Sequence, residues 1–173
     1  GQYLGRISRV RRTVVPFSQI APVMIQALLS AEDADFYEHE GLDYRGILRA
    51  IYNSVRAGKL KGSGSTITQQ TVKNILLSHE KTIARKIKEM ILTKRIEERF
   101  SKDDILSMYL NTIYFGHGRY GIEEAARYYF NVHASELNLT QAATLAGVIQ
   151  SPENHSPKKH PQSAKRRRAY VLR

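Results

Sequence analysis

The chain contains no cysteine, so it has neither a disulfide framework nor a thiolate metal site, and cysteine usage leaves its redox compartment open. It also lacks any apolar run approaching the roughly 20 residues that a membrane-spanning helix needs. No signal peptide is recognisable, and the first residue is Gly1 rather than methionine. We therefore expect a piece of a longer protein.

Acidic residues are few compared with basic ones. Against 27 Lys and Arg there are 16 Asp and Glu, which gives a formal net charge of +11. A bias of this size favours a polyanionic partner, namely nucleic acid, anionic lipid headgroups or a diphosphate. The length suits one domain with its own core, so residues 1–173 are treated as a single domain that could be divided into two lobes.

Strand signals are scarce as well. They are confined to residues 6–15, a basic β-branched segment that ends before Pro16 and could equally be a solvated arm. Helix caps recur instead, and they predict a mainly α fold. The predicted helix from Pro22 ends near Glu32, the one from Asp43 ends before Gly58, and the one from Thr82 ends near Glu98. Further helices are predicted to start at Ser65, Ser101 (with Asp104), Ile122 and Asn138 (with Gln141).

Apolar periodicity predicts which helix faces are buried. The first helix places Val23, Ala27 and either Met24 or Leu28 in the core. The helix from Thr82 has one apolar face and a second stripe that includes Glu89, so it is predicted to be largely buried, with Glu89 facing protein or a cleft. The apolar sets are Tyr44, Ile47, Leu48, Ile51, Tyr52 and Val55 in the second helix, and Ile83, Ile87, Met90 and Ile91 in the helix from Thr82.

Carboxylates are concentrated where the first helix ends, in the stretch E-D-A-D-F-Y-E-H-E-G from Glu32 to Gly41. Carboxylates at the end of a buried helix cost free energy unless they are solvated, paired or used chemically. This stretch is therefore the first candidate for a catalytic site.

Four stretches carry a family resemblance. They are the pattern E-D-x-x-F-x-x-H-x-G at residues 32–41, S-T-I-T-Q-Q-T-V-K-N at 65–74, R-K-x-x-E at 85–89, and the segment from Y-L-N to Y-Y-F at 109–130. Together they resemble, in order, the signatures of the family-51 peptidoglycan glycosyltransferases, the domain that polymerises lipid II in class A penicillin-binding proteins. A fifth signature resembles L-A-G-V-I-Q-S-P at 145–152. Two positions depart from the common pattern: Ser63 stands where the family often has glycine, and Lys81 where some relatives have arginine.

The resemblance implies a lysozyme-like globular lobe and a smaller membrane-facing lobe, which we place roughly at residues 41–80. It also implies that residues 163–173 begin a linker toward a transpeptidase domain. The implied partners are lipid II, the growing lipid-linked glycan and an anionic membrane surface, with no nucleic acid. The implied location is the extracytoplasmic face of the bacterial cytoplasmic membrane.

The reaction requires a base for the acceptor hydroxyl and positive charge beside the departing diphosphate. By resemblance, Glu32 is the general base and Glu89 the second carboxylate. Lys73, Lys81 and Arg85 match positions that hold the diphosphate, and Lys86 and Lys88 extend the same cationic cluster. No cofactor is required and no metal site is predicted from the spacing of His, Asp and Glu; Mg²⁺ or Mn²⁺ on the diphosphate is left open.

The remaining candidates are polar or aromatic residues of the first two signatures. Asp33, Phe36 and His39 are candidates for substrate contact, although capping, packing and local hydrogen bonding explain them as well. The better candidates for contacts to sugar or phosphate are Ser65, Thr66, Gln69 and Gln70.

Two other functions compete with this one. A lysozyme-like hydrolase would also use a glutamate in a helical cleft, but a neutral glycan does not require the cationic cluster. A helical nucleic-acid-binding module would explain the charge and the basic run Lys165 to Arg168, but it leaves the carboxylates and the S-T-I-T-Q-Q stretch unexplained.

Overall fold

The computed structural model describes residues 12–46, 48, 52, 65–77 and 82–173, and within these ranges it is mainly helical, as predicted. The described residues contain no strand, only an isolated bridge between Tyr114 and Tyr120. The helices are α1 (Pro22–Glu32), α2 (Ile67–Leu76), α3 (Ile83–Glu97), α4 (Lys102–Thr112), α5 (Ile122–Phe130), α6 (Leu139–Ile149) and α7 (Pro161–Val171), with short 3-10 turns at Phe17–Gln19 and Ala134–Glu136.

Several helix starts are those that the caps predict. Ser101 with Asp104 and Asn138 with Gln141 form the expected capping boxes of α4 and α6. Asp43 accepts a hydrogen bond from the backbone N–H of Gly46 (2.7 Å), and helical structure begins at Tyr44; the predicted end of this helix lies outside the described residues.

One prediction about the start of α2 needs correction: its N-cap is Thr66 rather than Ser65. Of the N-terminal segment at residues 6–15, predicted as extended or as a solvated arm, only residues 12–15 are described, and these form no strand pairing. Val15 is held by the side chain of Asn111, which accepts from the Val15 N–H and donates to its carbonyl, both at 3.0 Å. Residues 1–11 lie outside the described part.

The core forms around α6, which is buried from Ala142 to Ile149 and packs against α1, α5 and α7. Met24 and Leu28 of α1 were predicted as alternatives for one core position, but both are fully buried, whereas Val23 is only partly buried. Small residues of α5 and α6, including Ala125, Ala126, Ala142 and Ala146, are fully buried in this core, and aromatic side chains such as Phe36, Tyr109 and Phe115 fill much of the remaining volume.

The predicted apolar face of α3 is not buried, which contradicts the sequence-based expectation. Ile83 is 82% exposed and Ile87 is 53% exposed, and Met90 and Ile91 are exposed too. The second stripe of α3 does face inward, and Glu89 is only 2% exposed, so its predicted burial is confirmed.

The helix that starts at Tyr44 also has an exposed apolar side. Its described members Tyr44, Leu48 and Tyr52 are 64%, 68% and 65% exposed. Their spacing of four residues places them on one face. Nearly half of the predicted smaller lobe at residues 41–80 lies outside the described residues, including Ile47, Ile51 and Val55, and that lobe stays a prediction.

Residues 163–173, predicted to begin a linker, form most of α7. Ala164 and Val171 are buried where α7 packs on α6 and α1, and the hydroxyl of Ser30 on α1 donates to the carbonyl of Val171 (3.1 Å). This segment therefore belongs to the packed domain.

Two glycines of the fourth signature, Gly118 and Gly121, lie in the turn before α5 and differ in the space around them. Gly118 and Gly121 both have positive φ, 71° and 85°. A Cβ at Gly118 would meet nothing within 4 Å, whereas one at Gly121 would lie 2.9 Å from the backbone oxygen of Asn111. We expect Gly118→Ala to lower the free energy of unfolding by about 1 kcal/mol, the left-handed backbone cost alone. Gly121→Ala should cost about 2–4 kcal/mol, because Gly121 (φ 85°, ψ 151°) has a backbone conformation that essentially only glycine adopts, and the overlap with the Asn111 oxygen adds to that strain.

Chemical denaturation of the two variants measures this difference directly, and Gly118→Ala is the matched control. Equal destabilisation of both variants would show that neither the backbone conformation of Gly121 nor the approach of Asn111 adds a constraint at this position.

Candidate active site

Glu32 is the last residue of α1, and Asp33, which follows it, anchors this end of the helix to the rest of the site. One oxygen of the Asp33 carboxylate (Oδ2) accepts from the backbone N–H of Ile67 (2.9 Å) at the N-terminus of α2. The other (Oδ1) lies 3.0 Å from Nε2 of His39. Because a carboxylate is stabilised at a helix N-terminus, Asp33 joins the end of α1 to the start of α2, and the first and second signatures meet there.

His39 and Phe36 support this junction. His39 Nδ1 accepts from the backbone N–H of Gly41 (3.1 Å), which leaves Nε2–H to donate to Asp33. Phe36 is fully buried, its ring is perpendicular to that of His39 in an edge-to-face contact, and the Nζ of Lys102 lies 4.4 Å from its centroid. The described contacts of Asp33, Phe36 and His39 are thus structural ones.

Glu32 is held by a chain of hydrogen bonds from the core. The hydroxyl of Tyr109 donates to Gln70 Oε1 (3.0 Å), and Gln70 Nε2 donates to Glu32 Oε2 (3.0 Å). Since the tyrosine occupies the amide oxygen, the Gln70 amide is oriented with its NH₂ group toward the glutamate. Tyr109 lies in the fourth signature, but its contribution to the site could not be recognised from the sequence, where it has the pattern of a core residue.

The environment of Glu32 suits a base. Burial raises its pKa above the ordinary value; the Gln70 hydrogen bond and the positive charges of Arg167 and Lys73 oppose that effect, and Asp33 adds to it. A raised pKa increases the affinity of the carboxylate for a proton, as a general base requires. Burial also raises the pKa of Tyr109 well above its ordinary value, with Glu32 and Asp33 adding to the shift, so this hydroxyl remains a donor.

Thr66 and Gln69, predicted as substrate contacts, are engaged in the start of α2. They form a reciprocal capping box, and the Thr66 hydroxyl also donates to the carbonyl of Gly41 (2.6 Å). Both residues are 3% exposed. The structure therefore brings Gln70 to Glu32 but does not bring Thr66 or Gln69 to an open surface.

Glu89 lies between two cations. Its oxygens bind Arg85 (2.6 Å) and the ammonium of Lys86. Lys86 also makes a long contact to the Ser65 hydroxyl (3.4 Å), and Gln70 makes one to the Ser65 carbonyl (3.4 Å). Polar contacts thus connect the two carboxylates through Ser65 and Gln70. Glu89 thus pairs with Arg85 at i, i+4 and with Lys86 at i, i+3 on the same helix.

The remaining predicted cations differ in position. Lys73 is on α2, one turn after Gln70, and its charge acts on Glu32. Among the described residues Lys73 has no ion-pair partner. Lys88 is exposed and lies two residues after Lys86, on nearly the opposite side of α3, so it is not brought to the site. Lys81 lies outside the described residues.

Arg167 is a further residue that sequence reasoning missed. It was visible only as part of the basic run at Lys165 to Arg168, where no pattern distinguishes one member from the others. The packing of α7 on α1 and α6 brings its charge to Glu32.

Among the described residues, neither a metal site nor the cavity beside His39 offers an alternative to the site at Glu32. No group of three or more His, Asp or Glu side chains converges as a metal site in the described part of the chain. A cavity of about 450 Å³ beside His39 is lined by neither Glu32 nor Lys73. Its charged lining, which is mainly acidic, does not suit a diphosphate: it consists of Asp35, Glu38, Glu40 and Asp43 with Arg45 and Lys94.

Comparison with known proteins decides the family. The model of a family described as Transglycosylase matches residues 1–173. The chain belongs to this transglycosylase family. The resemblance seen in the signatures is therefore confirmed, and the glycosyltransferase class with it.

Curated relatives of this transglycosylase are penicillin-binding proteins. Penicillin-binding protein 1A/1B of Bacillus subtilis (strain 168) is 46% identical over 173 residues, and Penicillin-binding protein 1F of the same strain is 42% identical over 172. Penicillin-binding protein 1A of Aquifex aeolicus (strain VF5) is 43% identical over 173. Each match covers 99% or more of this chain. It covers 19% of Penicillin-binding protein 1A/1B and 24% of each of the other two, so the chain spans about a fifth to a quarter of the length of these relatives.

A solved structure supports the fold of this transglycosylase. The crystal structure of Penicillin-Binding Protein 1A from Haemophilus influenzae matches with a TM-score of 0.51 and 20% identity, over 94% of this chain and 14% of that chain. At this identity the likeness shows the fold alone. The mainly α fold class is confirmed.

Proposed function

We propose that this transglycosylase domain polymerises lipid II into β-1,4 glycan strands, with inversion at the anomeric carbon and release of undecaprenyl diphosphate. One observation carries the proposal: the half-buried Glu32, with a raised pKa and oriented by Gln70 and Tyr109, feels the charge of Lys73, which has no ion-pair partner among the described residues. A base and a cation placed together match the two requirements of glycosyl transfer from a diphosphate.

In the proposed reaction Glu32 takes the proton of the acceptor 4-hydroxyl on the GlcNAc of lipid II. The acceptor oxygen forms a bond to the anomeric carbon of the terminal MurNAc of the growing chain. The bond from that carbon to the diphosphate oxygen breaks, and the electron pair leaves with the diphosphate. Lys73 offsets the negative charge on the leaving group. A single displacement of this kind inverts the anomeric centre without a covalent sugar–enzyme intermediate.

We assign Glu89 a role in organising cations. Its carboxylate is buried and bound by both Arg85 and Lys86, so it is not free to accept a proton from substrate. The pairing holds Lys86 where it reaches the Ser65 hydroxyl, and it orients Arg85, which the family resemblance assigns to the diphosphate. An Mg²⁺ or Mn²⁺ ion on the diphosphate stays an open expectation.

We further propose that the domain works against an anionic membrane surface. The exposed apolar faces of α3 and of the helix from Tyr44 support this, because their side chains would lose contact with water on a lipid surface. The positive net charge adds attraction to anionic headgroups. In the described residues no helix is long and apolar enough to span a bilayer. A following transpeptidase domain and an extracytoplasmic location remain part of this proposal, in keeping with the greater length of the relatives.

The test is the size of the product made by the full-length protein that carries this domain. We expect lipid II to be converted into long glycan strands that run as a polymer ladder on a gel. Release of fragments from intact cell wall, with no polymer from lipid II, would establish the hydrolase instead. Tight, salt-sensitive binding of duplex nucleic acid with no activity on lipid II would contradict both enzymes.

A further inference from the structure

One face of α7, the C-terminal helix, packs against the end of α1. Ala164, Arg167 and Val171 follow the spacing i, i+3, i+7, so they lie on the side that packs against α6 and α1. Ser30 binds the carbonyl of Val171, and Ser30 is in the last turn of α1, which ends at Glu32. The last turns of α1 and α7 are therefore held against each other.

The side chain of Arg167 is constrained by packing. Its Cγ would lie 3.0 Å from a Cβ built on Gly147 of α6, so the absence of a side chain at Gly147 gives the arginine stem its space. The guanidinium carbon lies 4.5 Å from the centroid of the Tyr170 ring. The stem of Arg167 thus packs on α6 at Gly147, and its guanidinium lies over the ring of Tyr170.

The charge of Arg167 is not neutralised by an ion pair within the described part of the chain. Its Nε is buried and has no hydrogen-bond partner there. The orientation of the guanidinium is thus set by packing rather than by a carboxylate of its own. A fixed, uncompensated positive charge acts on the nearest ionisable groups, since protein screens such a charge less than water does.

We propose that Arg167 is a positioning residue for Glu32, whose carboxylate it holds in the ionised form that accepts the acceptor proton. The proposal rests on the proposed function, in which Glu32 is the base. Among the described residues, the groups that act on Glu32 are Asp33 beside it, Gln70 and Lys73 from α2, Tyr109 from α4 and Arg167 from α7.

Among these groups, only Lys73 and Arg167 are cations, and a bound diphosphate is expected to affect their charges differently. The positive charges of both oppose the rise in the pKa of Glu32 that burial causes. When a diphosphate binds Lys73, the negative charge of the ligand offsets the effect of that lysine on Glu32. Arg167 is on a different element and is held by packing, so its effect persists in the substrate complex.

The experiment is a pH profile of kcat for lipid II polymerisation by the full-length protein with Arg167→Met, which keeps an apolar stem but removes the charge. Loss of the cation raises the pKa of Glu32 further, so more of the base is protonated at low pH. We expect the acid limb of the profile to move to higher pH. On that limb kcat should fall about tenfold, and on the plateau it should stay within about twofold of the parent protein.

Three comparisons make the result decisive. Arg166→Gln changes an exposed neighbour and should leave the limb in place, and Arg167→Lys should largely restore it because the charge is retained. If Arg167→Met does not fold, Arg167→Gln provides the same comparison. An unmoved limb, a uniform loss at all pH values with a lower melting temperature, or a rise in KM alone would each overturn the proposal.

This failure is distinguishable from failure of the proposed function. An inactive Glu32→Gln together with an unmoved limb in Arg167→Met would refute only the role of Arg167. An active Glu32→Gln would refute Glu32 as the base, and the role of Arg167 with it.

Discussion

Replacing Glu32 by glutamine is expected to lower the rate of lipid II polymerisation by about 10²- to 10⁴-fold, the contribution typical of a general base. Glutamine has nearly the same shape, and its amide oxygen can still accept the hydrogen bond from Gln70. It cannot accept the proton of the acceptor hydroxyl. The loss should appear in kcat, measured from the formation of polymer with time.

The same variant should be at least as stable as the parent protein at neutral pH. The pKa of Glu32 is raised in the folded state, so folding favours its protonated form. Such a group destabilises the fold increasingly as pH rises from the unfolded pKa through the folded one, because ionisation is easier in the unfolded chain. Removing the charge removes this cost. Thermal unfolding at neutral pH measures it, and an unchanged or higher melting temperature is expected.

Glu38 provides the matched control for this substitution. It belongs to the same acidic stretch but is exposed, so Glu38→Gln should leave the rate within about twofold, as surface substitutions away from special features do. Near-normal polymer formation by Glu32→Gln would defeat the mechanism. An inactive variant with a clearly lowered melting temperature would leave no support for a purely chemical effect.

Replacing Lys73 by glutamine is expected to lower kcat by about 10²- to 10³-fold, as the loss of one group that stabilises developing charge commonly does. Lys73 has no carboxylate partner in the described structure, so its charge is available for the departing diphosphate. The substitution also removes a cation that lowers the pKa of Glu32. The acid limb in free enzyme, seen in kcat/KM, should therefore move to higher pH, while the loss of kcat persists at alkaline pH.

Lys88 makes the comparison specific to position rather than to charge. It is exposed and lies on the far side of α3 from Lys86, so Lys88→Gln should change kcat by less than about threefold in assays at physiological salt. Equal losses in the two variants would indicate that only the overall positive field matters. A loss in Lys73→Gln that higher pH fully rescues would show that the lysine acts through Glu32 and not on the leaving group.

Local patterns predicted much of the architecture correctly. The sequence correctly predicted the capping boxes at Ser101 and Asn138 and the bounds of α3. These features depend on contacts between residues a few positions apart, so the local sequence is sufficient to recognise them. The burial of Glu89 also followed from its place in a stripe with large apolar residues.

The errors arose where a local pattern had more than one tertiary outcome. Periodicity showed that Ile83 and Ile87 share an apolar face, but it could not show whether protein covers that face. Ser65 and Thr66 are both able to cap a helix. Thr66 is the cap because Gly41 accepts its hydroxyl and Asp33 accepts the N–H of the following residue, contacts that come from another part of the chain.

The order of the residues was enough to establish the helical class, the family and the identity of the candidate base, because caps, stripes and signatures are short-range features. The hydrogen-bond chain from Tyr109 to Glu32 and the approach of Arg167 required the folded molecule. Ser30 and Val171, which join α1 to α7, are 141 residues apart in the chain. The charge that faces a buried carboxylate depends on which distant helices pack beside it, and this packing is a property of the whole core.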